Sequence, residues 1–545
     1  MLDLLIIGSG GAGLSAALEA ASRGAKVAVV TKSLPTQAQT CMAQGGINAA
    51  LGNIEPDSPE EHIADTLRSA HGLADETMVR TLCESAPETI EWLDRMLVPF
   101  SRIQPNKNST HYPLPTTLSL QTIAQRRLGG ASHPRACYAQ DYTGLKILQN
   151  LYDRCLEAGV TFYTGHYLLD LVVTEDREVT GADFWEIQAG RIRTIRARAT
   201  LLATGGYGAL YQGYTTNAYG ATGDGIAAVL RAGGVLEDME FVQFHPTAMA
   251  PSAVLISESA RGAGAWLIND RGGERFTDEL APRDIVARAM FDQIAAGRHL
   301  FLDLRPIPEK VLRELMPQEL HLARLHAGID ATKEPIPVMP AVHYTMGGIA
   351  VDSRLRIRGL GRAYAAGECS AARVHGANRL GGNSLLEIVA FGRRAAVKAL
   401  EEVKGGVPEG CAPDQESAKR IESIFARKNR YNHYHKQRIL GKRLYHDLGI
   451  VRDGALIEDA LHYIGELEGR LGETGLQDRS RRENKDLTEL LEYENTLLLA
   501  QALSLSTLKR TESRGAHYRS DYPKESKAWE RHIQIKMENG EVVTC

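Results

Sequence analysis

The amino-acid sequence predicts an α/β protein that carries a smaller inserted α+β domain and ends in a helical domain and a tail. The length predicts several domains, because 545 residues exceed what one ordinary hydrophobic core holds. The chain begins with an apolar run, a glycine-rich turn, a helical pattern and a second apolar run. Two further apolar runs that end in glycine lie far along the chain, at Gly205 and Gly367. The domain that these runs form together is therefore interrupted by an insertion.

The first unit has the pattern of a dinucleotide-binding strand, turn and helix. The run LDLLII is followed by GSGGAG, by the helical pattern LSAALEAASRG and by the apolar run KVAVV. The turn carries Gly8, Gly10, Gly11 and Gly13, and its spacing is G-x-G-x-x-G. At such a turn, backbone N–H groups meet a pyrophosphate at the helix N-terminus. A tight glycine turn without a ligand is the alternative, but this context favours a Rossmann-like dinucleotide site.

The acid that usually follows the second strand of such a unit and holds the ribose is missing. Thr31 and Lys32 stand at this place. We expect both residues to contact the cofactor, and the way in which the adenosine ribose is held stays open.

The second and third units complete the prediction of an FAD-binding domain. ATLLATGGYG is an apolar strand that ends in Ala203, Thr204 and Gly205, and GRAYAAGECS brings Glu368. An FAD ribityl chain and pyrophosphate need acceptors as well as donors, and Glu368 is placed to serve, although alone it reads as a solvated turn carboxylate. We expect a discontinuous FAD-binding domain, 1–236 and 343–404, with a capping domain inserted at 237–342.

The C-terminal part reads as a helical domain and a tail. GGVPEGCAPDQ reads as a linker, and the segments after it carry apolar residues at helical spacing over 415–511. The tail, 512–545, is polar and shows no clear long helix.

Composition excludes several classes of function. The net charge of −4 gives no nucleic-acid signal, and no apolar run reaches the roughly 18 residues of a membrane-spanning helix. The chain enters a strand directly, so we expect a cytoplasmic protein. None of the seven cysteines forms a C-x-x-C pair, which argues against a zinc site or an iron–sulfur cluster held by this chain alone. We expect no metal site.

Histidines and arginines beside glycine-rich backbone mark a candidate site for a small anion with two carboxylates. Arginine binds carboxylates in a bidentate way, and histidine adds donors of adjustable charge. The residues lie in QFHPTAM, LISESARGAG, APRDIVARAM, VHYTMGGI and HGANRLGGNSLLE. Each of them alone is at least as consistent with a packed core histidine, a structural ion pair or a helix cap; the set as a whole favours the site.

These motifs, in this order and spacing, resemble the flavoprotein subunit of succinate dehydrogenase and fumarate reductase. The resemblance covers nearly the whole chain, from GSGGAG through AQGGI, ATGGYG, TGDG, QFHPT, RDIVAR, HYTMGG, AAGE and GANRLGGNSLLE to ESRGAHYRSDYP. The wider family includes L-aspartate oxidase, which shares most of these motifs.

The resemblance implies hydride transfer between flavin N5 and one central carbon of succinate or fumarate, with proton transfer at the other. Arg283 would carry the proton, supplied through Glu258 and Arg261. His343 and Arg379 would hold one carboxylate, and His245 with Ser257 the other, which orients the hydride path. The FAD-contacting positions implied beyond those already named are Gln39, Thr40, Gln44, Gly45, Gly46, Asp224, Asn383, Ser384 and Leu385.

Two alternatives stay open. Aspartate oxidase carries an acid just before its G-G-x-S motif to meet the substrate ammonium; here Leu128 stands at that place in the substrate site, and an unpaired buried ammonium is costly. Aspartate oxidase is nevertheless the second candidate, because SHPRACYAQDYTG is oxidase-like. A non-catalytic FAD-binding scaffold is the third, and the presence of all the arginines and histidines argues against it.

The resemblance also implies partners. In membrane-bound relatives this subunit passes electrons to an iron–sulfur subunit and a membrane anchor, and we expect this chain to lie on the inner face of the cytoplasmic membrane through such partners.

The segment PTQAQTCMAQGG departs from the family pattern. Membrane-bound relatives carry here a histidine that is covalently bound to the flavin 8α-methyl, and Gln39 takes its place. Glutamine has no nucleophilic nitrogen for that bond. Cys41 is a conceivable thioether donor, although a packed small residue is the simpler interpretation. We therefore expect non-covalent FAD, whose lower potential would favour fumarate reduction.

Overall fold

We describe the fold from a computed structural model that covers residues 1–103, 122–402 and 415–545. The linker predicted from Gly405 and the predicted boundary at 404 lie outside the described residues.

The described residues form short and long strands along the whole chain, and four of the longer ones follow one another between residues 161 and 202. The strands are β1 Leu2–Ile7, β2 Val27–Thr31, β3 Ile47–Asn48, β4 Gln125–Arg126, β5 Ala136–Cys137, β6 Thr161–Thr164, β7 His166–Val173, β8 Val179–Glu186, β9 Arg191–Leu202, β10 Leu236–Glu237, β11 Val242–Met249, β12 Trp266–Asn269, β13 Leu300–Asp303, β14 Ile336–Thr345, β15 Gly348–Ala350, β16 Ala363–Ala365, β17 Ser370–Ala371, β18 Gln534–Glu538 and β19 Glu541–Thr544.

The helices are α1 Gly11–Ser22, α2 Pro59–Ser69, α3 Glu76–Glu84, α4 Ala86–Arg95, α5 Thr143–Glu157, α6 Asp224–Arg231, α7 Glu258–Gly262, α8 Arg283–Ala295, α9 Glu309–Leu315, α10 Pro317–Ala327, α11 Asn383–Glu402, α12 Gln415–Ala426, α13 His433–Asp447, α14 Gly454–Glu468 and α15 Lys485–Lys509. Helices α2 and α3 begin behind side-chain caps from Ser58 and Asp75, which accept from the Glu61 and Met78 amides.

The three glycine-ended runs meet in one sheet, as predicted. The strand order is β6-β2-β1-β9-β8-β7, with β16 on β9. Strands β1, β2, β6, β9 and β16 run parallel, so the ends of β1, β9 and β16 lie at one edge. Strands β2 and β16 are buried throughout and β1 is buried from Leu4 to Ile7, which explains the continuous apolar runs. The Rossmann-like fold class is confirmed.

Two glycines allow this sheet to meet helix α1. Gly8 has φ +111°, and a Cβ there would lie 2.1 Å from the Ala203 carbonyl oxygen of the neighbouring strand. A Cβ on Gly13 would lie 2.0 Å from the Gly8 carbonyl oxygen. The turn therefore holds β1, β9 and α1 closer together than any side chain permits.

The insertion forms its own layer, which we call the cap. Its antiparallel sheet has the order β11-β14-β13-β12, and helices α7, α8, α9 and α10 belong to the same segment. The cap has a separate apolar core that includes Met249, Leu267, Met290 and Val338. Strand β14 runs to Thr345, past the expected boundary at 342, because its pairing with β11 continues to Val242. The predicted domain boundaries stay predictions.

The tail is part of a sheet rather than an irregular end. Strands β18 and β19 form a hairpin, and β18 pairs with β10, which also pairs with β15. The polar alternation of the tail reflects a strand pair that is partly exposed.

The helical region contains the three predicted helices, α12, α14 and α15, and also α13, which the sequence analysis does not predict. The buried face of α13 is formed by His433, Gln437, Leu440, Leu444 and Asp447, together with Gly441. Because three of these side chains are polar, the face has helical spacing without an apolar pattern. In the described part of the chain, no helix combines the length and the apolarity needed to cross a membrane.

We expect Gly13→Ala to destabilise the fold by about 1–3 kcal/mol, because the new methyl group must displace the Gly8 backbone. Gly465→Ala is the matched control, since a Cβ there meets nothing within 4 Å in helix α14. The control should stabilise the protein by up to about 1 kcal/mol. Urea unfolding followed by circular dichroism measures both changes, and equal stabilities of the two variants would contradict the close approach.

Candidate active site

One cavity of about 740 Å³ runs along the carboxyl edge of the main sheet, between this sheet, the cap and helix α15. Most of the predicted site residues line it: Gly8, Gly10, Gly11, Thr31, Lys32, Gln39, Thr40, Gln44, Gly45, Gly46, Leu128, Ala203, Thr204, Gly205, Asp224, His245, Ser257, Glu258, Arg283, His343, Glu368, Arg379, Ser384 and Leu385.

Three predicted residues do not line the cavity. Gly13 packs behind the turn. Arg261 lies behind Glu258, with its Nη2 3.4 Å from Glu258 Oε1. Asn383 is buried among protein partners, since it accepts from Asn48 and donates to Thr66 Oγ1 at 2.9 Å. Its side chain supports the loop rather than the cavity wall.

The glycine-rich end of the cavity is closed by the loop Pro35–Gly46, which folds as two 3₁₀ turns. Thr40 Oγ1 accepts the Gly11 amide at 3.0 Å, so this loop is fixed to the start of helix α1. Gln39 Oε1 accepts the Ala218 amide at 2.7 Å. Both nitrogen and oxygen of the Gln44 side chain are buried in the cavity wall without a partner in the described chain.

The opposite end of the cavity holds a buried ion pair. Arg283 stands at the start of α8 and donates through Nε, 3.1 Å, and through Nη2 to Glu258 at the start of α7. Burial alone would raise the pKa of Glu258, but Arg283 and Arg261 lower it to about 2. Glu258 is therefore a carboxylate shared by two arginines.

Gln243 is a site residue that the sequence analysis missed. Its Oε1 accepts from Arg283 Nη1 at 3.0 Å and from Arg379 Nη2 at 3.1 Å. Its Nε2 donates to Asn378 Oδ1 and to the Arg379 carbonyl. A neutral amide carries no charge signal in a sequence, and only its place in QFHPT, two residues before His245, could have drawn attention to it.

Burial and repulsion between arginines set the charge of this end. Burial, and after it the positive charge of Arg283, lower the pKa of Arg379 to about 10. The guanidinium of Arg379 also lies 4.1 Å above the Tyr344 ring, which partly replaces lost solvation.

The two histidines lie side by side, with ring centroids 4.8 Å apart. Burial lowers the pKa of His245 well below its usual value, and Arg283 and Arg261 act in the same direction. Its Nε2 lies 3.0 Å from the Ile256 carbonyl, which can only accept, so Nε2 carries the proton. His245 Nδ1 is buried without a partner in the described chain.

His343, at the end of β14, has its pKa lowered well below the usual value by burial and by His245, and its Nδ1 lies 2.8 Å from Thr216 Oγ1.

Ser257 and Leu128 complete the wall. Ser257 caps helix α7, because its Oγ accepts the Ser259 amide at 3.1 Å. Leu128 is buried against Gly45, with its Cδ1 3.6 Å from where a Cβ would stand, and brings no charge.

Comparison with known proteins gives a consistent result. An FAD binding domain matches residues 3–385, and the fumarate reductase flavoprotein C-terminal domain matches residues 437–544. The succinate dehydrogenase flavoprotein subunit of Coxiella burnetii is 39% identical over 97% of this chain and 93% of its own length.

Solved structures agree. A mutant FrdA of the E. coli quinol fumarate reductase superposes with a TM-score of 0.92 at 32% identity, over 100% of this chain and 96% of its own. Sdh1 of Mycobacterium smegmatis gives 0.85 at 33% identity, over 100% and 94%. The chain belongs to the succinate dehydrogenase and fumarate reductase flavoprotein family. The family resemblance and the FAD cofactor predicted from the sequence are confirmed, and the protein is an FAD-dependent oxidoreductase.

The cavity of this family member fits FAD. The Gly8–Gly13 turn leaves open backbone at the start of α1, where a pyrophosphate binds. Buried polar atoms without partners, at Gln44 and Thr204 Oγ1, line the same cavity, as expected of groups that meet a ligand. The role of each predicted site residue stays a prediction.

We expect Gln44→Leu to weaken FAD binding about 10-fold or more, since the amide that lines the cavity loses its ligand bonds. Gln212→Leu is the matched control, because Gln212 Oε1 is also buried without a partner in the described chain but does not line the cavity. Quenching of flavin fluorescence measures both affinities. An unchanged affinity in Gln44→Leu would show that this amide does not contact the cofactor.

Proposed function

We propose that this flavoprotein interconverts succinate and fumarate at the end of the cavity that holds Arg283, Arg379 and His245, which we call the cap end. The proposal rests on one observation: Arg283, Arg379 and His245 line the same cavity as the glycine-rich turn that begins at Gly8. FAD supplies the hydride chemistry, and the chain supplies binding, orientation and the proton.

The positive groups of the cap end suit a dianion. Arg283 and Arg379 share one neutral acceptor, Gln243, so part of their positive charge is left to a ligand. If the two carboxylates of the substrate are held between these arginines and the two histidines, its central carbons are fixed in position. This orientation aligns the path of the hydride.

Proton transfer is assigned to Arg283. When fumarate is reduced, one central carbon receives a hydride, and Arg283 gives a proton to the other. The proton is then restored to Arg283 by a relay: the Glu258 carboxylate, 3.1 Å from Arg283 Nε, takes a proton from Arg261 and passes it to Arg283, and Arg261 is reprotonated from solvent.

Electrons must leave or enter through another protein. Among the described cysteines none is paired, and the sequence contains no C-x-x-C ligand set for a cluster. Relatives include quinol fumarate reductase and Sdh1 complexes. We infer an iron–sulfur subunit and a membrane-anchor or other electron-transfer subunit as partners, and a peripheral position on the cytoplasmic membrane.

A substrate panel tests the reaction. Protein reduced with a viologen should be reoxidised by fumarate, and succinate should reduce an artificial acceptor. Absence of both reactions would refute the proposal. Peroxide formation that depends on L-aspartate, without fumarate activity, would instead support L-aspartate oxidase.

The FAD is inferred to be non-covalent. Gln39 stands where membrane-bound relatives carry the flavin-linking histidine, and its amide bonds the Ala218 backbone. Cys41 does not line the cavity in the described structure, and burial raises the pKa of its thiol, which disfavours the nucleophilic thiolate. Because a covalent link raises the flavin potential in this family, its loss favours fumarate reduction. Acid precipitation should release all flavin into the supernatant; flavin that stays with the protein would refute this inference.

We expect Arg283→Ala to lower turnover by about 10²- to 10⁴-fold with fumarate, as for loss of a general acid, while the bound-flavin spectrum is retained. Arg288→Ala is the control on the same helix: Arg288 bonds Asp284 and the Gly515 carbonyl and does not line the cavity. Steady-state and single-turnover rates measure the difference. Near-normal turnover in Arg283→Ala would remove this residue as the proton carrier.

We expect dicarboxylate binding to take up a proton at His245. A dicarboxylate offers only acceptors, whereas His245 Nδ1 carries no proton at neutral pH. Binding raises the pKa of this imidazole from its low value in the free protein, so affinity should fall as pH rises from the pKa of the free protein to that of the complex. Malonate titrations in buffers of different ionisation enthalpy count the protons. His245→Asn should abolish the uptake; a pH-independent affinity of the parent protein would contradict this assignment.

A further inference from the structure

At the end of the cavity beside Lys32, the residue that would usually accept hydrogen bonds from the adenosine ribose is missing. In a dinucleotide-binding fold, a carboxylate at the end of the second strand accepts hydrogen bonds from the ribose. Here β2 ends at Thr31, and Lys32 follows it. Neither side chain is an acid, so the ribose hydroxyl groups lack their usual acceptor at this place.

Lys32 brings two carboxylates to this place from distant parts of the chain. Its Nζ lies 2.6 Å from Asp224 Oδ2 and 2.6 Å from Glu492 Oε1. Asp224 begins helix α6, and Glu492 belongs to helix α15, 460 residues after Lys32. All three residues line the cavity.

Asp224 has little capacity left for a ligand. Its Oδ1 accepts from Tyr167 Oη at 3.0 Å, Thr222 Oγ1 at 3.0 Å and Asn495 Nδ2 at 2.9 Å. Its Oδ2 accepts from Lys32. This carboxylate therefore organises the protein around it.

Glu492 differs from Asp224 in this respect. Only its Oε1 is bonded, to Lys32, and its Oε2 has no hydrogen-bond partner within the described chain. The side chain is 14% exposed and lines the cavity, so the free oxygen is accessible from the cavity rather than sealed in the core. The ion pair with Lys32 orients the carboxylate.

We propose that Glu492 accepts the hydrogen bonds of the adenosine ribose of FAD, in place of the missing acid after β2. His166, Leu168 and Ile187 line the same end of the cavity and offer a surface for the adenine. The helical domain then completes the cofactor site, because the residue that replaces the acid comes from α15.

The inference rests on FAD binding and not on the reaction with succinate or fumarate. Binding of FAD and of FMN to the flavin-free full-length chain tests it, since FMN lacks the adenosine half. Glu492→Gln should weaken FAD binding about 10-fold or more and leave FMN binding unchanged. An equal loss for both flavins, or no loss for either, would overturn the inference.

Glu494→Gln is the matched control. It removes a carboxylate two residues away on the same helix, which pairs with Arg420 and Arg427 and does not line the cavity. Glu494→Gln should leave the ratio of FAD to FMN affinity unchanged, even if the substitution lowers the free energy of unfolding. A ratio that falls as much as in Glu492→Gln would show that the effect is structural.

A cofactor analogue tests the same contact without a variant that must fold. An FAD analogue with a 2′,3′-dideoxyadenosine should bind the parent chain about 10-fold more weakly than FAD. In Glu492→Gln the two cofactors should bind equally well. Equal binding of both by the parent chain would overturn the inference, and it would do so whether or not the protein reduces fumarate.

Discussion

The amide oxygen of Gln243 is the contact on which the arrangement of the cap end depends. It accepts hydrogen bonds from Arg283, which belongs to the cap, and from Arg379, which lies just before helix α11. This oxygen is neutral and brings two buried guanidinium groups together; Arg283 is also paired with Glu258, whereas Arg379 has no ion pair within the described chain. Burial and, after it, the charge of Arg283 lower the pKa of Arg379, so an anionic ligand beside these groups is favoured.

The ion pair between Glu258 and Arg283 complements this contact. Glu258 is paired with Arg283 and Arg261, which lower its pKa to about 2 against the effect of burial. Burial lowers the pKa of both histidines well below the usual value, so neither adds a positive charge at neutral pH. An anionic ligand at Arg379 would add to this balance of charge, which links the stability of this end to ligand binding.

The other end of the cavity, at the Gly8–Gly13 turn, depends on the close approach of backbone segments. Gly8 and Gly13 remove the side chains that would separate β1, β9 and α1, and Gln44 and Thr204, which carry buried polar atoms without partners in the described chain, line the cavity beside them. Helix α15 closes this end through Glu492 and Lys32. The cofactor site is thus built from three parts of the chain that only the fold brings together.

The sequence by itself determined the fold class and most of the cavity wall, because glycine turns after apolar strands and charged motifs have local spacings that survive folding. It missed helix α13, whose buried face is partly polar, and the strands of the tail, which need β10 as a partner. The hydrogen bonds of Gln243 with the two arginines and the pairing of Glu492 with Lys32 were decided only by the tertiary structure, because they join residues distant in sequence and no local pattern encodes such a contact.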